Sequence, residues 1–207
     1  MVGISMGKRK RQAKVLRVFR KIHRTTGALL FIFFFVISAT GLLLGWKKNT
    51  NGLILPKTQK GTSTELVEWL PVDSLHTIAC QTLHTSVSPD LSLELDRIDI
   101  RKDKGSVKFN FVDHYYEVQL DGATGNVLSI GQRRSDFFEN VHDGSIIDRY
   151  LGTSGVVKLV YSTIMGLSLL MFTITGFWLW YGPKRMRKEG KNTTGTVSKK
   201  GRISTVP

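Results

Sequence analysis

Between Thr25 and Trp46 the chain runs for 22 residues without a formal charge. As a helix rising about 1.5 Å per residue, such a run covers roughly 30 Å, the thickness of a bilayer's hydrocarbon core. Arg17, Arg20, Lys21 and Arg24 precede it, with His23 among them, and Trp46, Lys47 and Lys48 follow. A second apolar run, from about Val156 to Tyr181, carries one charge, Lys158, near its start, where a long side chain snorkels to the headgroups. The plan is therefore helix, soluble domain, helix.

The net charge of +14 suggests nucleic acid only if its location is ignored. Residues 1–24 hold nine Lys/Arg and no acid, and residues 182–207 hold eight Lys/Arg and one acid. The stretch 47–155 has 12 Lys/Arg against 15 Asp/Glu. Basicity confined to the two ends is the positive-inside pattern of two spans, with both termini cytoplasmic and the middle domain on the far side. It attracts anionic lipid and gives no reason to expect a nucleic-acid partner. The first apolar run exceeds the usual signal-peptide core, and no small-residue cleavage site closes it, so an uncleaved anchor is expected. Cys80 is the single cysteine and excludes an internal disulfide, a zinc-type cluster and a CxxCH heme attachment.

Residues 1–16 read as a basic tail that begins without structure and becomes helical towards the membrane, and Asn49–Thr64 as a linker whose apolar patch Leu53–Leu55 docks on the domain. Pro71–Val87 has a helical spacing, with His76 and His84 eight residues apart as surface side chains. From Leu95 the period becomes two. Leu95–Arg101, Val107–Phe111, Tyr116–Leu120 and Val127–Ile130 read as strands joined by hairpins, with the helix over one face. A further helix is expected after Ser135, closed by Gly144, and His114 is placed on a surface hairpin. Pro183 is expected to stop the second span. The fold class is thus membrane α plus an exported α+β domain: two transmembrane helices flanking a helix and an antiparallel four-stranded sheet. The segments are a basic tail over 1–24, a span over 25–46, a linker over 47–63, the domain over 64–134, a pre-membrane segment over 135–155, a span over 156–181 and a basic tail over 182–207.

Small residues punctuate both spans. Gly41 and Gly45 form a GxxxG pair suited to a close helix partner, and SATGLLLGW at the end of the first span echoes TITGFWLWY at the end of the second. No Ser-His-Asp order, nucleophile elbow, HExxH, Rossmann or flavin motif supports a hydrolase or a nucleotide-dependent enzyme.

Several of these segments resemble the PepSY-associated transmembrane family. They are Ile22-His23-Arg24 with Gly27, Thr40-Gly41-Leu42-Leu43-Leu44, Tyr116–Asp121 with the hairpin Asp121–Leu128, His142-Asp143-Gly144, and Thr175-Gly176 with Trp178 and Trp180. The resemblance covers roughly residues 15 to 188. It implies an inner-membrane protein of Gram-negative bacteria with a periplasmic PepSY domain, often linked to iron or siderophore uptake. Larger members are similar to ferric-siderophore reductases that carry b-type heme on histidines, and the matching positions here are His23 and His142. Two spans are fewer than those members have. With His23 at the cytoplasmic boundary and His142 on the far side, about 30 Å of membrane separates the two imidazoles. They cannot share one heme, and a homodimer or larger membrane complex would have to pair each with its copy. Two readings stay open: a heme-binding subunit of a ferric or siderophore reductase, and a non-enzymatic PepSY binding or regulatory module that modulates a peptidase or a partner complex. For His23 the bland alternative is lipid-phosphate binding, and for His142 it is helix capping or pairing with Asp143.

Overall fold

A computed structural model of the chain describes the backbone of residues 2–201, with side chains described for residue 7 and residues 10–188. The elements are α1 (Val2–Trp46), α2 (Val72–Ser86), β1 (Leu95–Arg101), β2 (Ser106–Phe111), β3 (Tyr116–Asp121), β4 (Val127–Gln132), α3 (Arg134–Asp143), α4 (Ser145–Leu151) and α5 (Val156–Gly201). They divide into two compact units, one made of residues up to 35 with residues from 158 onward, the other Val36–Val157.

In the first unit α1 and α5 are both long and apolar enough to cross a bilayer. Leu29, Phe31, Phe35, Leu159 and Leu167 are each more than three-fifths exposed. A helix pair that turns so much apolar surface outward is suited to lipid, since water would leave that area without compensation. Aromatic contacts join the two helices, with Phe34 edge-on to Phe172 at 5.3 Å between ring centroids and Phe33 edge-on to Tyr161 at 6.3 Å.

Both helices run further than the sequence suggests. α1 is helical from Val2, so the tail is helical where an unstructured start was expected. Lys8–Leu16 contains no proline or glycine and consists largely of good helix formers, enough to carry the helix outward from the span. α5 passes through Pro183 and continues to Gly201, which corrects the expected stop. Gly182, directly before the proline, has no Cβ to clash with the ring, and a membrane helix accommodates the one lost N–H bond. Of the basic ends, Met1 and residues 202–207 lie outside the described residues.

In the second unit the sheet order is β1-β2-β3-β4, antiparallel throughout. Leu75, Ala79 and Leu83, four residues apart on α2, are fully buried against Val107, Phe109, Phe111, Val118 and Leu120. The pairs Val107–Leu120 and Phe109–Val118 therefore face the helix. The expected strands, hairpins and covering helix are present, and the segment after the sheet adds α4, which the sequence reading did not separate. Gly144, at φ +79, is the left-handed joint between α3 and α4. His76 and His84 are half-buried at the surface: His76 Nε2 lies 3.3 Å from Cys80 Sγ and His84 Nε2 3.1 Å from the Leu91 carbonyl. His114 Nε2 lies 2.9 Å from the Ser92 carbonyl.

The opposite face of the sheet is polar yet buried: Ser106, Lys108, Asn110, Glu117, Gln119 and Asp121 are all at most 3% exposed. The linker covers it as a strap. Gln119 bonds its backbone twice, accepting from Gln59 N at 2.9 Å and donating to the Lys57 carbonyl at 2.9 Å. Asp121 accepts from Thr62 N and Oγ1 at 3.0 and 3.1 Å. At Gly61 a Cβ would stand 2.0 Å from the Gly105 carbonyl oxygen, so only glycine lets the strap lie this close. The apolar patch docks as expected through buried Ile54, whose carbonyl accepts from Ser135 N at 2.9 Å.

An ion network finishes this face. Glu117 takes Lys108 Nζ at 3.3 Å and Arg133 at 2.6 Å, and Asp136 takes Arg133 and Arg97 at 2.9 Å each. Burial works to raise the Asp136 pKa, but the hydrogen bonds and charge of Arg133 outweigh it and hold the carboxyl below the ordinary carboxylate value. Such a group stabilises the fold above its unfolded pKa of about 4 and stops doing so as pH falls through the lower folded value. Amide-exchange protection factors across β2 and β3, the rates corrected for the intrinsic pH dependence of exchange, should therefore be at their highest above about pH 5 and fall progressively below about pH 4. Glu117→Ala, which leaves buried Lys108 without a carboxylate and Arg133 with Asp136 alone, should cost roughly 3–5 kcal/mol in the same measurement.

Candidate functional site

Each unit contains one imidazole bonded to one threonine. In the first, His23 on α1 places Nδ1 2.8 Å from Thr175 Oγ1 on α5. In the second, His142 near the end of α3 places Nδ1 2.9 Å from Thr40 Oγ1 on the second half of α1. Both threonines are buried and both histidines half-buried.

The hydroxyl protons decide the tautomers. Thr175 Oγ1 lies 2.7 Å from the Met171 carbonyl and 3.2 Å from that of Phe172. Thr40 Oγ1 repeats this at 2.7 Å from Val36 and 3.2 Å from Ile37. Carbonyl oxygens bring no proton, so a contact this short requires the threonine to donate backwards into its own helix. The hydroxyl then has only lone pairs left for the imidazole. Nδ1 must carry the proton and donate, and the lone pair of a neutral ring is left on Nε2. Neither Nε2 makes a hydrogen bond among the described residues.

The residue after each threonine is glycine. A Cβ on Gly176 would meet His23 Cε1 at 3.7 Å, and one on Gly41 would meet His142 Cε1 at 3.5 Å. Alanine just fits either place, while any longer side chain would reach the ring. The His23 ring is also held by Phe172, with centroids 4.4 Å apart and planes inclined at 57°. At the other histidine the helix joint is fixed by Asp143, whose Oδ1 accepts from Ser145 N at 2.9 Å. One alternative for His142, a helix cap, is thus filled by its neighbour, and the described polar bond of His142 goes to Thr40. For His23 likewise, Nδ1 is committed to Thr175.

The two sequence-named histidines therefore lie in separate but chemically equivalent settings. The threonine partners escaped the sequence reading, although the Thr-Gly dipeptide common to the two span ends was their signal. Among the described residues no three His, Cys, Asp or Glu side chains converge as a metal cluster, so each histidine offers one donor atom.

Two apolar helices and an α+β domain with a histidine–threonine pair in each unit define a membrane-anchored protein of PepSY type. The PepSY-associated TM region family matches residues 20–205, a stretch that includes both pairs, and the chain belongs to that family. No curated protein and no solved structure matches the chain.

Thr175→Val and Thr40→Val remove the acceptor of Nδ1–H. In ¹⁵N-histidine spectra of the intact protein, His23 and His142 should both report protonated Nδ1, and each valine variant should shift its own histidine towards protonated Nε2. Each change should cost about 1 kcal/mol of stability.

Proposed function

We propose that the chain is a heme-binding electron-transfer subunit of the bacterial inner membrane, serving ferric or siderophore-iron reduction, in which His23 and His142 would hold the heme. The single observation that carries this reading is the pair of contacts: each imidazole meets a buried threonine hydroxyl through Nδ1, which leaves Nε2 with its lone pair. An outer hydrogen bond that fixes ring orientation and raises ligand basicity is the usual support of a metal-bound histidine. The donor set thus fits a b-type heme, which when bound supplies a one-electron carrier whose potential follows its axial ligands and their hydrogen bonds. Thr175 and Thr40 hold the proton on Nδ1, Gly176 and Gly41 admit the ring edge, and Phe172 restricts His23 from swinging.

Each histidine stands alone as a donor within its own unit, so completing a bis-imidazole site requires a second copy or another subunit. In a symmetric homodimer, His23 would face His23 of the second copy, and His142 would do the same. The basic ends favour both termini in the cytoplasm and the sheet domain in the periplasm. Membership of the PepSY-associated family supports the iron-uptake context.

A second reading has one observation in its favour: polar bonds between helices also serve as glue in membranes. In that case the histidine–threonine pairs clamp a non-enzymatic PepSY binding module. Purification from cells supplied with heme precursor separates the two. The reductase reading predicts a Soret band of b-type heme that falls by about half in His23→Ala and in His142→Ala. A colourless wild-type protein that also fails to take up added hemin contradicts it.

A further inference from the structure

At the end of the first unit opposite its aromatic contacts with Tyr161, α1 and α5 leave a cavity of about 140 Å³ between them. Arg11, Val15 and Leu16 line it from α1, and Trp178, Arg185 and Met186 from α5. Gly182 also lines it, and a Cβ there would stand 2.6 Å from Leu16 Cδ2. The lining thus joins apolar side chains to two arginines and Gln12. We propose that this cavity is a specific site for an anionic phospholipid, whose phosphate is held by Arg11 and Arg185 and whose acyl chains continue along Val15, Leu16 and the neighbouring helix surface.

Three observations converge on this occupant. The depth is that of a headgroup: Trp178, Trp180 and Tyr181 form the aromatic belt, and Arg185 follows one turn later. Lys184 Nζ stands 3.7 Å from the centroid of the Trp180 ring, a cation fixed at the same belt. The charge is one-sided: among the described residues the cavity lining holds two arginines and no Asp or Glu. Finally, the apolar surface continues outward along exposed Val18 and Phe177, as an acyl chain requires. Guanidinium groups pair with phosphate in bidentate geometry, and basic recesses between membrane helices suit anionic headgroups.

This proposal is independent of heme binding. The test is native mass spectrometry of the full chain released from bilayers containing phosphatidylglycerol and phosphatidylcholine in equal amounts. The wild type should retain one phosphatidylglycerol per chain and discriminate against phosphatidylcholine. Arg11→Ala with Arg185→Ala should weaken retention about 25-fold, from roughly fivefold for each charge near the surface. Val15→Trp fills the cavity while leaving every charge in place, and should abolish retention. Retention unchanged in Val15→Trp would show that the diffuse basic surface holds the lipid and would overturn the site. Displacement of the lipid by millimolar inorganic phosphate would also overturn it, by making the cavity a free-anion site. The histidine ¹⁵N signals, unchanged in these variants, report that the helix pair is intact.

Discussion

A threonine hydroxyl has one proton, and in both units of this protein that proton is directed into the threonine's own helix. Everything specific about the two histidines follows from this. Short contacts from Thr175 to the Met171 carbonyl and from Thr40 to the Val36 carbonyl force Nδ1 of His23 and His142 to donate. Nε2 then becomes the free base of each ring. A serine or threonine turned the other way would allow either tautomer. The glycine that follows each threonine lets the imidazole approach the helix, so the Thr-Gly dipeptide acts as a small receptor for a histidine. Its appearance on both spans gives structural meaning to the echo between SATGLLLGW and TITGFWLWY.

The soluble domain rests on a different balance. Its α2-facing side is held by ordinary apolar burial, whereas its other side buries a row of polar groups that would be costly if left unpaired. The strap over residues 57–62 and the Lys108–Glu117–Arg133–Asp136 network satisfy most of them. That face therefore gives up generic stability for a defined fit, and loss of the Glu117 carboxylate leaves Lys108 without its ion-pair partner and Arg133 with Asp136 alone.

Much of the fold was legible because its signals are local. Long apolar runs marked the spans, a change of period from 3.6 to 2 marked the sheet, and Gly144 marked the end of α3. The strap was not legible, since a stretch such as KTQKGTST is polar whether it is solvated or bonded to a buried sheet face. The passage of α5 through Pro183 was hidden because a proline's usual effect depends on what surrounds it. Within the candidate site, the histidines were visible as residue types in unusual places. Their partners were not, because the His23–Thr175 and His142–Thr40 contacts span 152 and 102 positions and no periodicity links such distant residues. The direction of a hydroxyl proton appears only once distances to the backbone are known.

The central claim is that two threonine-set imidazoles are ligands waiting for a second copy. Heme content measured per chain, on protein whose oligomeric mass is determined in the same sample, tests it most directly. The account predicts a dimer with one heme per chain and the low-spin electron paramagnetic resonance signal of bis-imidazole iron. A monomer with full heme content, or a dimer with none after hemin is offered, would contradict it.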